Sequence, residues 1–67
     1  MWKRQMWLTR DKDDGLFLSV GDKPVKRKID WSIPVYSYCF EIDYTLFPEV
    51  KWSDEEPTKV KLEIVKQ

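Results

Sequence analysis

The 67-residue sequence predicts a mainly β fold, a small antiparallel meander of four to five strands with at most one short helical turn. Three observations predict it. Apolar side chains recur at every second position in several short runs, the period of a half-buried strand. Clusters of Asp, Gly, Pro and Ser separate those runs. Almost nothing recurs at helical spacing. A curled sheet and an SH3-like or open barrel both satisfy this pattern.

The first strand is short, Met6 to Arg10, and rich in Trp and Thr. Asp11-Lys12-Asp13-Asp14-Gly15 follows, ending in the Asp-Gly pair of a tight hairpin. Leu16, Leu18 and Val20 then share one face, with Phe17 and Ser19 opposite. Gly21-Asp22-Lys23-Pro24 makes the second turn, where proline sets φ and removes a donor. Ile29, Trp31 and Ile33 alternate, so residues 25–33 read as a strand that Pro34 ends. Tyr36, Tyr38, Phe40 and Ile42 share the next face, opposite Val35, Ser37, Cys39 and Glu41. Residues 43–47 fit one helical turn, with Asp43 as its cap and Pro48 as its end. After a polar loop from Ser53 to Pro57, Val60, Leu62 and Ile64 alternate with charged residues in a final strand.

One domain, residues 1–67, accommodates this length. A chain this short buries only about 60% of its unfolded surface. Four Trp, three Tyr and three Phe are therefore its main source of apolar area. No apolar run is long enough for a membrane span or a signal peptide. The single cysteine, Cys39, has no partner for a disulfide within the chain, which points to a reducing, cytoplasmic setting. Charge is balanced overall but not along the chain. Residues 1–31 hold eight Lys/Arg against five Asp, a net of +3, and residues 32–67 hold four Lys against seven Asp/Glu, a net of −3. So weak a field does not attract a polyanion to the whole molecule.

Histidine is absent, which removes Ser-His-Asp and Cys-His catalysis and histidine-based metal sites. Asp11, Asp13 and Asp14 resemble a calcium loop only loosely. Glycine falls at position 5 rather than 6, and a strand begins where the loop should continue. Glu55 and Glu56 are adjacent and point apart on an extended segment, unlike a carboxylate pair facing one substrate. Cys39, between Tyr38 and Phe40, reads as a small core residue. The expectation is a non-enzyme that holds no metal and no cofactor.

Two binding readings remain. The tryptophans Trp2, Trp7, Trp31 and Trp52 exceed what one face of such a domain buries, and exposed aromatics anchor protein interfaces. The leading expectation is thus a protein-interaction or accessory module, binding another protein or itself as a homo-oligomer. The alternative is a single-stranded nucleic-acid-binding β domain. Its surface would combine the basic triplet Lys26, Arg27 and Lys28 with the stacking rings of Trp31, Tyr36 and Tyr38.

Two stretches carry a resemblance, MWLTRDKDDGLFLSVGDKPVK and LFPEVKWSDEEPTKVKLEIV. They resemble short uncharacterised proteins of gut Bacteroides-type bacteria and their mobile elements or phages. The shared features are a Trp-containing strand, the Arg-Asp-Lys-Asp turn, an aliphatic strand ending in Lys-Pro, and a closing alternating strand. These are turn and strand motifs, so the resemblance implies fold and no chemistry. It also implies a chain starting at the equivalent of Met6, which makes residues 1–5 an N-terminal extension.

Overall fold

The alternating runs become the strands of a computed structural model that describes residues 4–66. In chain order these are β1 (Gln5–Arg10), β2 (Leu16–Gly21), β3 (Val25–Lys26), β4 (Trp31–Ser32), β5 (Tyr38–Ile42) and β6 (Thr58–Val60). All pairings are antiparallel. The main sheet runs β5-β2-β1-β6, and β3 and β4 form a separate two-stranded sheet. The protein is all-β, and its sheet does not close into a barrel. Among the described residues there is no helix, hence none long and apolar enough to cross a membrane.

The last strand departs from a simple meander. β6 does not pair with β5 but returns to the far edge of β1, the Greek-key order. The cause lies in residues 43–57, which carry the chain across one sheet face. The helical turn expected there is replaced by successive turns, in which Leu46 N–H donates to Asp43 O (3.0 Å) and Val50 N–H to Phe47 O (2.9 Å). The strand expected over residues 25–33 is cut to the short β3–β4 hairpin. Arg27 N–H donates to Asp30 O (2.8 Å), and this bond turns the chain between the two strands. The closing strand stops at Val60, and residues 61–66 run on exposed, outside any strand. Of the N-terminal extension, residues 1–3 with Trp2 lie outside the described residues, while Gln5 already belongs to β1.

At the first hairpin, Asp14 N–H donates to Asp11 O (3.0 Å) and Asp11 N–H to Gly15 O (2.8 Å). Asp14 rather than Gly15 takes the left-handed conformation, at φ 74°. This is a three-residue loop in which a type I turn leads into a left-handed residue. Gly21, at φ 141°, has a different reason to be glycine: a Cβ there would collide with Ser37 Oγ, where β2 ends and the chain returns towards β5.

Register sorts the side chains onto two faces. Met6, Leu8 and Arg10 share a face with Leu16, Leu18 and Val20, and with Tyr38, Phe40 and Ile42. There Leu8, Leu16 and Val50 form the buried centre, with Leu18, Ile42 and Val60 packed against it. Arg10 lies buried beside them and donates to five carbonyls: Val50 (2.6 Å), Asp14 (3.0 Å), Tyr44 (2.9 Å), Leu46 (3.0 Å) and Phe47 (3.1 Å). One guanidinium thus fastens the crossing loop to the sheet.

The opposite face holds Trp7, Thr9 and Ser19, all buried. Thr9 Oγ1 and Ser19 Oγ have no hydrogen-bond partner among the described residues. An unpaired buried hydroxyl costs about 1–3 kcal/mol. Thr9→Val keeps the shape and removes the hydroxyl, so we expect a gain of roughly 1 kcal/mol, or about 4–8 °C in Tm for a domain this small. Thermal unfolding by circular dichroism checks it, and an unchanged or lower Tm would show that the hydroxyl is satisfied in solution.

Candidate functional site

The six residues of the basic and aromatic cluster do not come together as one surface. Lys26 is half-buried, and its Nζ donates to the carbonyls of Trp52 (2.5 Å) and Asp54 (2.7 Å). The same ammonium lies 4.3 Å from the Trp52 ring centre and 5.8 Å from that of Trp31. It links the β3–β4 sheet to the loop before β6 and is largely consumed in doing so. Trp31 is 6% exposed, and its indole N–H donates to Arg10 O (3.1 Å). A ring so enclosed offers no stacking face. Arg27 pairs with Asp30 through two bonds of 2.7 Å each. That contact raises the Arg27 pKa and lowers the Asp30 pKa. Of the triplet only Lys28 is exposed and takes no part in the salt bridges among the described residues.

Tyr36 and Tyr38 are placed differently. They are 91% and 60% exposed, Tyr36 in the turn before β5 and Tyr38 at its first position. The Arg4 guanidinium sits 5.3 Å from the Tyr38 ring centre. Beside them opens a concavity of about 540 Å³, lined by Arg4, Gln5, Asp22, Lys23, Tyr36 and Ser37. Its polar groups are partly committed. Ser37 Oγ accepts from Asp22 N–H (3.1 Å), and Lys23 pairs with Glu56 (3.0 Å).

The sequence reading passed over the rest of this surface. Phe40 is 54% exposed, and Val35 and Tyr44 are exposed as well. Phe40 lies two residues from Tyr38 and so on the same sheet face, and it stays open because β5 is an edge strand and the crossing loop is fastened at the Arg10 end of that face. The signal was present in the shared alternation of Tyr36, Tyr38, Phe40 and Ile42. What was missing was the knowledge that nothing packs over it. The tryptophans behave in the opposite sense. Trp7 (7% exposed) and Trp31 are core residues, and Trp52 is half-buried against Lys26, so none of these three is a free interface anchor.

Cys39 lies mid-strand as read, but on the sheet edge and exposed rather than in the core. Partial shielding of the thiol pushes its pKa up, and the Asp11 charge adds to this. A thiol so shifted is a poor nucleophile. The acidic turn is a structural cap: Asp13 Oδ1 accepts from Gly15 N–H (3.0 Å) and Asp11 Oδ1 from Trp31 N–H (3.2 Å). Burial raises the Asp11 pKa, offset in part by that Trp31 bond. Among the described residues no three acidic, cysteine or histidine side chains gather into a metal site. Comparison of the chain with protein families, with curated proteins and with solved structures gives no match.

Proposed function

We propose that the protein is a non-enzymatic protein-interaction or accessory module whose contact surface is the β5 side of the sheet. The observation that carries this reading is the run of exposed aromatic side chains along and just before β5: Tyr36, Tyr38 and Phe40. Monomeric soluble proteins rarely leave a contiguous apolar patch open, and tyrosines flanking an apolar centre are typical interface anchors. The half-exposed Leu18, Val20 and Met6 extend the patch across the same face. The single cysteine favours a cytoplasmic setting, and the resemblance to short proteins of Bacteroides-type bacteria and their phages suggests an accessory protein of a phage or mobile element.

A second reading keeps Tyr36 and Tyr38 as stacking platforms for single-stranded nucleic acid, with Arg4 beside them as the cation. Lys26, Arg27 and Trp31 are engaged elsewhere, so this site would be smaller than the one read from sequence.

Capture from a bacterial lysate on immobilised protein tests both. Wild type is expected to retain a specific protein after nuclease treatment, and Tyr38→Ser with Phe40→Ser to lose it at least tenfold. Retention of nucleic acid alone would favour the second reading. Equal retention by the variant would remove the β5 surface as the site.

A further inference from the structure

We infer that the β5 edge pairs with the β5 edge of a second copy of this chain, in a two-fold register centred on Phe40. The inference rests on the β5 surface being an interaction site and names its partner. The phase of the hydrogen-bond ladder is set at the first hairpin, where Asp11 N–H donates to Gly15 O (2.8 Å). Bonded and non-bonded pairs alternate in an antiparallel ladder. The pairs Thr9–Phe17 and Trp7–Ser19 therefore carry the bonds between β1 and β2. Arg10 O then faces away from β2, and Trp31 reaches it from that outer side (3.1 Å), which agrees with this phase. Leu16, Leu18 and Val20 turn their backbone groups towards Ile42, Phe40 and Tyr38. What remains is the N–H and C=O of Cys39 and Glu41, directed outwards from an edge that pairs with β2 alone.

The two sheet edges are protected unequally. β6 is short, follows Pro57 and carries Lys59, with Lys61 just beyond, the features that discourage edge pairing. β5 reads Tyr-Cys-Phe-Glu-Ile, without lysine or proline. Three two-fold registers are open to it. A centre on Glu41 sets that carboxylate against its own copy, which like charges disfavour. A centre on Cys39 needs Ser37 backbone groups, and Ser37 N–H is already given to Pro34 O (3.0 Å). A centre on Phe40 overlaps all of β5. Cys39 then exchanges backbone bonds with Glu41 of the second copy, and Tyr38 lies beside Ile42. The two Phe40 rings meet in a non-bonded pair, where side chains are closest. The apolar face of one sheet continues into the other, as an isologous contact requires.

Pairing along a five-residue edge strand covers less than the roughly 800 Å² per partner of a standard interface, so the dimer belongs to the weak class. Sedimentation equilibrium under reducing conditions, up to roughly 0.5 mM, is the appropriate test. Wild type is expected to shift from monomer towards dimer over this range. Cys39→Pro deletes one outward N–H and leaves the β2 ladder intact, and Phe40→Lys places a lysine at the centre. Each should weaken association at least tenfold without lowering Tm in dilute solution. Oxidation separates the registers. Phe40→Cys in a Cys39→Ser background should cross-link efficiently, whereas the wild-type cysteines lie on a diagonal about 7–8 Å apart, too far for ready bridging. A monomer throughout, or a dimer indifferent to both edge variants, overturns the inference. Efficient cross-linking of wild-type Cys39 overturns the register. A monomer that still captures a protein through Tyr38 and Phe40 would leave the module reading standing, and that separates the two failures.

Discussion

Arg10→Met is expected to remove about 3–5 kcal/mol of stability, a large share of what holds the protein folded. Five carbonyl oxygens, on Val50, Asp14, Tyr44, Leu46 and Phe47, take the five N–H groups of this one guanidinium at 2.6 to 3.1 Å. Hydrogen bonds to a charged group contribute about 1.5–3 kcal/mol each, and a buried acceptor left unpaired costs about 1–3 kcal/mol. These values do not add, but two of the five suffice to reach about 3–5 kcal/mol. Total stability for a chain of 67 residues is roughly 3–10 kcal/mol, so the loss is comparable with the whole. The bonds also hold the crossing loop in a conformation it would not choose alone, since Phe47 sits at φ 51°, unusual for a bulky residue. Arg10→Lys should fail nearly as badly, because three donors on a point charge cannot span carbonyls that a planar fork serves. Urea unfolding followed by circular dichroism measures both. An unfolding free energy within about 0.5 kcal/mol of wild type would mean that water replaces the guanidinium without loss.

Trp31→Ala should cost about 3–5 kcal/mol, the range for deleting a buried aromatic side chain. The ring closes the outer edge of β1 beyond the end of β6 and gives its N–H to Arg10 O (3.1 Å). It also lies 5.8 Å from the Lys26 ammonium that joins the small sheet to the loop before β6. Trp31→Phe keeps most of the apolar area and removes only the donor, so about 1–2 kcal/mol is expected. The pair of variants decides what Trp31 is for. A nucleic-acid platform would tolerate alanine with Tm unchanged and lose only binding. A core residue loses Tm first, and that is the expected result.

The candidate surface was partly legible. Tyr36 and Tyr38 were singled out and are exposed, but the reasons that Lys26 and Trp31 are not available could not be read from the chain. Their partners are the backbone carbonyls of Trp52, Asp54 and Arg10. Every residue presents a carbonyl, so a side chain that binds one leaves no mark in the order of residue types. The same holds for Arg10, which read as an ordinary end of a strand.

Period-two alternation and turn chemistry determined, without any tertiary information, that the chain is all-β and antiparallel. They placed β2 and β5 on their faces, because side-chain direction in a strand is a local property of the backbone. They also located the Asp11 to Gly15 hairpin, since a tight turn depends on residues adjacent in sequence. Tertiary structure alone decided which alternating faces are covered. Leu62 and Ile64 alternate as well as Leu16 and Leu18, yet they end exposed, because β6 stops at Val60. Tyr38 and Phe40 share a face with buried Leu8 and Leu16, yet stay open, because the crossing loop is fastened at the Arg10 end only. Burial follows from what packs above a face, and that is set by contacts between residues as far apart in sequence as Arg10 and Val50 or Met6 and Val60.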